Sequence, residues 1–264
     1  MTRETAQSLS GTTAIVTGAS QGIGRQIAQS FAAAGATVAL AARSNGIYET
    51  AELINRPEHT LAVETDVTDE SSVSEAIEAT VEQFGGVDCV VNNAGIAGPT
   101  APIEEVSVED WEQTLAVNVT GMYLMLKHAA VHLRESDRGR VINISSISGK
   151  RPLDKRTPYT TSKMGVIGLT RTAAVEFAED DVTVNAICPG ATRGPRIDDV
   201  IEKQADQMGV DFEEAKRRAF TEDAILGELT DPDDIAQMAL FLASDAAGHI
   251  TAQDINVDAG TVWY

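Results

Sequence analysis

Residues 13–24 read TAIVTGASQGIG, an apolar run followed at once by a glycine-rich turn. The run from Thr13 to Val16 has the composition of a buried strand, and helical spacing continues from Ile23 to Ala34. Glycines let the backbone turn tightly and approach a pyrophosphate, whose charge the helix N-terminus attracts. A glycine turn by itself is often structural, but this strand-turn-helix order near the N-terminus predicts a dinucleotide site.

The alternation of strand and helix patterns continues along the chain. Strand-like runs occupy 38–41, 60–63, 87–91, 141–144, 182–187 and 254–257, and helical patterns occupy 48–54, 69–84, 108–133 and 157–177, with another helix beginning at Asp231-Pro232. This rhythm predicts an α/β fold with a single doubly wound parallel sheet of Rossmann type, about seven strands, and helices on both faces. No Pro/Gly/Ser linker divides the chain, so we predict one domain over residues 1–264.

The segment 191–227 interrupts this rhythm because it is long, charged and helix-prone. It follows the end of a predicted strand, where doubly wound sheets bind their ligands. We therefore predict a helical substrate lid there, with a surface excursion as the alternative.

The composition excludes several classes of partner. Forty Asp and Glu face twenty Lys and Arg, which gives a formal net charge of -20 and predicts no binding to nucleic acid or anionic membranes. Only 6 of the 20 cations are lysines. An acidic, lysine-poor surface indicates a halophilic type of protein, in which high salt screens the self-repulsion.

The cysteines and the start of the chain indicate a cytoplasmic protein. Cys89 and Cys188 lie in apolar runs without metal or redox spacing, so they are predicted to be reduced core residues. Residues 1–10 are polar, and no apolar run approaches 18 residues, so neither secretion nor membrane spanning is indicated.

Tyr159 and Lys163 form a candidate proton-transfer pair, because residues four apart share one helix face. A nearby ammonium favours phenolate and lowers a tyrosine pKa from about 10. Ser146, thirteen residues earlier, offers a hydroxyl that can hold a carbonyl oxygen. Without companions, the Tyr-x-x-x-Lys spacing also fits a surface pair on an ordinary helix.

Further candidates follow the predicted strands. No carboxylate ends the second strand, where Arg43 and Ser44 stand instead, which favours NADP(H) over NAD(H) unless the arginine is simply solvated. Asp66 is placed to accept a hydrogen bond from adenine. Asn92 either braces neighbouring strands or touches the cofactor ribose. Asn118, in an apolar helix, either satisfies a local backbone break or holds a water leading to the lysine.

Taken together, these motifs resemble the short-chain dehydrogenase/reductase family over nearly the whole chain. The matching pieces, in family order, are residues 17–24 (TGASQGIG), residues 92–95 (NNAG), Asn118, Ser146, Tyr159, Lys163 and Pro189-Gly190. The resemblance implies a Rossmann-type sheet and hydride transfer between a nicotinamide cofactor and a carbonyl or alcohol. It implies that Tyr159 is the general acid/base, that Lys163 lowers its pKa and bonds the nicotinamide ribose, that Ser146 positions the carbonyl, and that Asn118 holds the relay water.

The expected cofactor contacts combine the family positions with the candidates above. They are Gly18, Ser20, Gln21, Gly22, Ile23, Gly24, Arg43, Ser44, Asp66, Val67, Asn92, Ala94, Gly95, Tyr159, Lys163, Pro189, Gly190 and Thr192. Two positions depart from the family pattern: Gln21 stands where NADP users often have a basic residue, and Gly194 where many members have a nicotinamide-binding threonine. Thr192 is the expected substitute.

The substrate is indicated only by charge. Cations cluster in the loop before Tyr159 and at the start of segment 191–227, at Lys150, Arg151, Lys155, Arg156, Arg193 and Arg196. They indicate an anionic small-molecule substrate such as a 3-oxoacyl thioester, unless they pair with carboxylates, among them Asp154 and Asp198. Sugar, polyol or hydroxy-acid dehydrogenases and a non-catalytic dinucleotide-binding regulator are the alternatives. Family likeness also predicts a homotetramer or dimer.

Overall fold

The computed structural model describes residues 7–264; residues 1–6 of the polar start lie outside the described part of the chain. Its strands form one sheet in the order β3-β2-β1-β4-β5-β6-β7, and every neighbouring pair is parallel. The prediction of a doubly wound parallel sheet is confirmed. The strands are β1 (Thr13–Thr17), β2 (Thr37–Ala42), β3 (Thr60–Glu64), β4 (Cys89–Asn92), β5 (Arg140–Ile144), β6 (Thr183–Pro189) and β7 (Asp254–Val257).

Helices connect the strands and cover both faces of the sheet. They are α1 (Gly22–Ala33), α2 (Gly46–Ile54), α3 (Glu70–Phe84), α4 (Val108–Leu115), α5 (Gly121–Glu135), α6 (Thr157–Glu176), α7 (Pro195–Met208), α8 (Phe212–Lys216) and α9 (Pro232–Ala243). As predicted, α9 begins with Asp231 as N-cap and Pro232 in its first turn, and Asp234 completes a capping box.

Two apolar cores lie on opposite faces of the sheet. Helices α1 and α9 cover one core, and helices α3, α5 and α6 cover the other. Strands β1 and β6 are buried along their whole length, as a parallel sheet covered on both sides requires. Among the helices of residues 7–264, none combines the length and apolarity that crossing a bilayer requires.

Both cysteines are buried free thiols, and Cys89 lies in the core that α1 and α9 cover. Burial raises the pKa of Cys89 to about 12 and that of Cys188 to about 11. Because the thiolate is the reactive form, both side chains are inert packing groups, as the sequence predicted.

The strand order reverses between β1 and β4, which opens a crevice at the carboxyl ends of the strands. Segment 191–227 follows β6 at this same edge and contains α7, α8 and a π-helical turn at Arg217–Thr221. A small apolar cluster, Ile201, Ala205, Ala215 and Leu229, holds it together. The N–H of Leu226 donates to the carbonyl of Ala259, which ties the segment to the C-terminal region.

Candidate active site

The glycine turn between β1 and α1 has the shape of an anion cradle. Gly18 and Gly22 have φ values of 65° and 56°, a region that favours glycine. A Cβ on Gly24 would collide with the carbonyl of Gly18, so the helix can approach the turn only without a side chain there. The side chain of Gln21, the N-cap residue of α1, accepts no hydrogen bond from the first turn of the helix. The first backbone N–H groups of α1 are therefore available to bind an anion. This cradle fits a dinucleotide pyrophosphate.

Asn93, whose amide was predicted with that of Asn92 either to brace neighbouring strands or to touch the cofactor ribose, braces the glycine turn. Its Nδ2 donates to the carbonyls of Thr17 at 2.9 Å and Gly18 at 3.2 Å. The hydroxyl of Thr17 accepts the N–H groups of Asn93 and Ala94 at 2.9 and 3.0 Å. The backbone of Ala94 is therefore occupied in the turn. In the sequence, the Asn92-Asn93 pair was the signal for this role. Asn93 fixes the shape of the cradle.

Arg25 is a second bracing residue that the sequence did not reveal. Its guanidinium donates to the carbonyl of Ser20 at 2.5 Å and to Oγ1 of Thr50 at 3.0 Å, and it pairs with Glu49 at 2.6 Å. The Thr50 hydroxyl donates in turn to the carbonyl of Ala19 at 2.9 Å. The neighbouring predicted contact, Ile23, packs its side chain on the core, so only its backbone faces the cradle.

The ends of β2 and β3 bring Arg43 and Asp66 together, with 3.6 Å between guanidinium and carboxylate. Burial acts to raise the pKa of Asp66, but hydrogen bonds from Thr68 and the charge of Arg43 outweigh it and lower that pKa. Arg43 keeps 62% of its side chain exposed, and Ser44 beside it is exposed as well. Val67 packs tightly against Gly121 with both its side chain and its carbonyl oxygen.

Asn92 acts as a strand brace. Its Nδ2 donates to Oδ1 of Asn143 on β5 at 2.9 Å, and Asn143 donates to the hydroxyl of Thr170 on α6 at 2.9 Å. This buried chain joins β4, β5 and α6 behind the crevice. The structure shows the bracing contact of Asn92, and its contact with the cofactor ribose stays a prediction.

Asn118 lies in a π-helical turn, Ala116–Thr120, between α4 and α5. Its Oδ1 accepts the N–H of Ile96 at 2.8 Å, and its Nδ2 donates to the Ile96 carbonyl and to Oγ of Ser162, both at 2.9 Å. The amide therefore fixes the distant backbone of Ile96 rather than a local backbone break, and its role in holding a relay water stays a prediction. A Cβ on Gly95 would lie 3.3 Å from Oδ1 of Asn118 and 3.6 Å from Nζ of Lys163, so this glycine lets the two groups come close.

Tyr159 and Lys163 lie on one face of α6, as predicted. The lysine is 4% exposed, and its Nζ donates to the carbonyl of Ile144 at 2.9 Å. The same Nζ lies 5.8 Å from the centroid of the Tyr159 ring. The hydroxyl of Ser162 donates to the Tyr159 carbonyl at 2.7 Å and accepts from Asn118, which links two of the four predicted catalytic residues.

The two adjacent serines after β5 have different partners. Ser145 donates to the carbonyl of Lys163 at 2.8 Å and so braces α6. Ser146 places its hydroxyl 2.7 Å from that of Ser148 and accepts the Ser148 N–H at 3.1 Å. A hydroxyl rotates to suit its neighbours, so Ser146 can donate to a carbonyl oxygen placed beside it.

The Pro189-Gly190 pair ends β6 at the same edge. The N–H of Gly190 donates to Val257 at 2.9 Å, and a Cβ on this glycine would lie 2.8 Å from Cα of Asp258. The hydroxyl of Thr192 donates to the Gly190 carbonyl at 3.0 Å. The loop that follows β6 is thus fixed beside the crevice.

Comparison with known proteins identifies the family. Residues 18–262 match the family described as enoyl-(acyl carrier protein) reductase. The chain belongs to the short-chain dehydrogenase/reductase family. It is 35% identical to cis-4-hydroxycyclohexanecarboxylate dehydrogenase of Sinomonas cyclohexanicum, covering 94% of this chain and 95% of that one. It is 32% identical to D-beta-hydroxybutyrate dehydrogenase of Cupriavidus necator, covering 96% and 99%.

Solved structures give the same result. A variant of actinorhodin polyketide ketoreductase in complex with NADPH superposes with a TM-score of 0.89 at 32% identity, covering all of both chains. Levodione reductase superposes with a TM-score of 0.88 at 30% identity, covering 95% of this chain and 97% of that one. This short-chain dehydrogenase/reductase is therefore an oxidoreductase that acts on an alcohol or ketone group with a nicotinamide dinucleotide.

Three of the six cations in the expected cluster of this short-chain dehydrogenase/reductase are neutralised by carboxylates among the described side chains. Three cations form ion pairs: Lys150 with Asp254 at 2.8 Å, Arg151 with Asp223 at 3.0 Å, and Arg193 with Asp231 at 3.0 Å. The predicted partners Asp154 and Asp198 form none of the ion pairs among the described residues. Lys155 is exposed, and the side chain of Arg196 lies outside the described part of the structure.

Proposed function

We propose that the enzyme interconverts a secondary alcohol and a ketone, with Tyr159 as the general acid/base. The observation that carries this proposal is the buried ammonium of Lys163, 5.8 Å from the ring centroid of Tyr159 at the ligand edge of the sheet. A cation held there favours the phenolate and so lowers the pKa of the phenol towards the working pH.

Ser146, Tyr159 and Asn118 each have a separate role in the proposed reaction. The bound nicotinamide supplies hydride to the carbonyl carbon, or accepts it in the reverse direction. Ser146 donates a hydrogen bond to the carbonyl oxygen and orients it, and Tyr159 gives that oxygen its proton. Asn118 holds the loop at Ile96 in place and lies beside Lys163, where it can position a water that returns the proton.

For the cofactor we propose NADP(H). The supporting feature is the end of β2, where the exposed Arg43 and Ser44 replace the carboxylate that would repel a 2′-phosphate. A guanidinium can donate two parallel hydrogen bonds to phosphate oxygens. The carboxylate of Asp66 lies 3.6 Å from the guanidinium of Arg43, a distance that lets the Arg43 side chain turn towards a phosphate. The NADPH in the similar ketoreductase structure supports the same choice.

For the substrate we propose a hydroxy acid or the corresponding oxo acid. The relatives named for hydroxycyclohexanecarboxylate and D-beta-hydroxybutyrate are the observation that favours this class. A 3-oxoacyl thioester is the second candidate, supported by the family description and by the similarity to a polyketide ketoreductase. The ion pairs of Lys150, Arg151 and Arg193 weaken any long-range attraction of an anion, which argues for a small acid bound by close contacts.

We also propose that residues 191–227 act as the substrate lid of one domain that spans the chain. The supporting features are their position after β6 and their own small apolar cluster. We propose further a cytoplasmic homotetramer or dimer, since Met164 and Val175 on α6 and the C-terminal Trp263 and Tyr264 expose large apolar surfaces. Sedimentation of the protein at high salt measures the number of subunits.

The test is steady-state kinetics with NADPH and NADH against a panel of oxo acids, sugars and 3-oxoacyl thioesters, run at high salt. The proposal expects the highest kcat/KM with NADPH and an oxo acid. Preference for NADH contradicts the cofactor proposal, and preference for a thioester or a sugar contradicts the substrate proposal. Silence across the panel despite tight cofactor binding contradicts catalysis by this site.

A further inference from the structure

A second cation lies over the Tyr159 ring. The guanidinium carbon of Arg156 is 4.9 Å from the ring centroid, closer than the ammonium of Lys163 at 5.8 Å. Arg156 immediately precedes α6, and Tyr159 is the third residue of that helix. The sequence analysis counted this arginine only as part of a cationic loop.

The arginine is fixed in this position from the other side of the crevice. Its guanidinium donates to the carbonyl of Ala97 at 2.8 Å. The chain on both sides of Ala97 is fixed as well. The side chain of Asn118 forms two hydrogen bonds with the backbone of Ile96. Gly98 packs against α4, where a Cβ on this glycine would lie 2.6 Å from the hydroxyl of Thr114. The guanidinium is therefore preorganised on an anchored loop.

Among the described side chains, Arg156 and Lys163 are the two cations that lie over the Tyr159 ring. Lys150 and Arg151 are paired with Asp254 and Asp223. On α4, which packs against α6, the carboxylate of Asp110 accepts a hydrogen bond from Ser107, and Glu109 and Glu112 are exposed. Asp154 and Lys155 in the preceding loop are exposed as well.

We propose that Arg156 is a positioning residue that stabilises the phenolate form of Tyr159 together with Lys163; this inference rests on the proposed role of Tyr159. A cation over an aromatic face interacts with the ring electrons, and it interacts more strongly when the ring system carries a negative charge. The N-terminal end of α6 acts in the same direction, because its partial positive charge lies within one turn of the tyrosine. Arg156, Lys163 and the N-terminal end of α6 therefore all favour ionisation of the phenol.

The size of the effect follows from typical energies. Cation–π contacts contribute about 0.5 to 2 kcal/mol depending on desolvation, and one pKa unit corresponds to about 1.4 kcal/mol. Loss of the guanidinium is thus expected to raise the titration midpoint of Tyr159 by about 0.4 to 1.4 pKa units.

The test is a spectrophotometric titration of tyrosinate absorbance in the whole protein without substrate, so that it does not depend on turnover. The protein has four tyrosines, and the transition that disappears in Tyr159→Phe belongs to Tyr159. In Arg156→Gln this transition is expected at higher pH by the stated amount, and Arg156→Lys is expected to keep part of the depression. Arg156→Met, which retains the aliphatic stem, carries the same expectation if the glutamine variant does not fold.

Arg134→Gln is the matched control. Arg134 lies over the ring of Phe177 at 5.0 Å, so this variant removes an equal charge and the same kind of contact from a ring that cannot ionise. Its Tyr159 transition is expected to stay in place. An unmoved transition in Arg156→Gln or Arg156→Met overturns the proposal. A raised KM for an anionic substrate with an unmoved transition overturns it too, and assigns the arginine to substrate binding.

Discussion

At the scale of single residues, we expect Ser145 to have a structural role and Ser146 a chemical one. Ser146→Ala is expected to lower kcat/KM by about 10² to 10³, as loss of a donor to the reacting oxygen does. Ser145→Ala removes the hydrogen bond to the Lys163 carbonyl and is expected to cost about 1 to 2 kcal/mol of unfolding free energy. Kinetics and denaturant unfolding of both variants check the assignment, and a larger kinetic loss in Ser145→Ala reverses it.

The proposed preference for NADP(H) rests on Arg43 at the same scale. Charge-assisted hydrogen bonds to phosphate contribute about 1.5 to 3 kcal/mol, so Arg43→Gln is expected to weaken NADPH binding by roughly 10- to 100-fold. NADH binding is expected to stay within a small factor, because NADH lacks the 2′-phosphate. Fluorescence titration with both cofactors measures the two dissociation constants. Equal weakening of both indicates that Arg43 supports the fold of the site rather than the phosphate.

At the scale of secondary-structure elements, Asp254 ties three elements together. Its carboxylate on β7 lies 2.8 Å from Lys150 of the loop after β5 and 2.6 Å from Arg171 of α6. Burial acts to raise the pKa of Asp254, but hydrogen bonds from these two cations and their charges outweigh burial and lower it. The carboxylate thus contributes stability above the ordinary value of 3.8, and this contribution is lost as the pH falls through the lowered pKa.

Asp254→Asn is accordingly expected to cost roughly 1.5 to 3 kcal/mol near neutral pH, with the difference from the natural protein shrinking below the ordinary carboxyl pKa. Denaturant unfolding across this pH range measures both quantities. Asp223→Asn is the matched control, because its ion pair with Arg151 is exposed and contributes about 0 to 1 kcal/mol. A difference for Asp254→Asn that does not change with pH contradicts an ionic origin.

The elements themselves were readable from the sequence, and many contacts between them were not. Strand and helix patterns predicted the sheet, and parallel strands place Gly18, Asn92 and Ser146 at one edge by geometry alone. The partner of Lys150 was not predictable, because Asp254 lies 104 positions away and sequence spacing carries no information about such a contact. The predicted continuous helix over 108–133 contains a π-helical turn, since Asn118 bonds the distant backbone of Ile96.

At the scale of the whole molecule, the net charge of -20 predicts that the stability of the enzyme depends on the salt concentration. Like charges repel over the Debye length, which falls from about 10 Å at 0.1 M salt to about 3 Å at 1 M. If screening stabilises the fold by roughly 2 kcal/mol, the melting temperature rises by about 4 to 8 °C in molar KCl. Sucrose at matched osmolality is the control for solute exclusion. Equal stability in dilute buffer and molar KCl contradicts the halophilic interpretation.

The proposed mechanism depends on Tyr159 as the group that moves the proton. The most direct measurement is kcat/KM of Tyr159→Phe with the best substrate of the panel, beside its affinity for NADPH and its unfolding curve. We predict a loss of about 10² to 10⁴ in kcat/KM, typical for removal of a general acid/base, with cofactor affinity and fold preserved. Near-normal turnover by a folded Tyr159→Phe enzyme would contradict the mechanism.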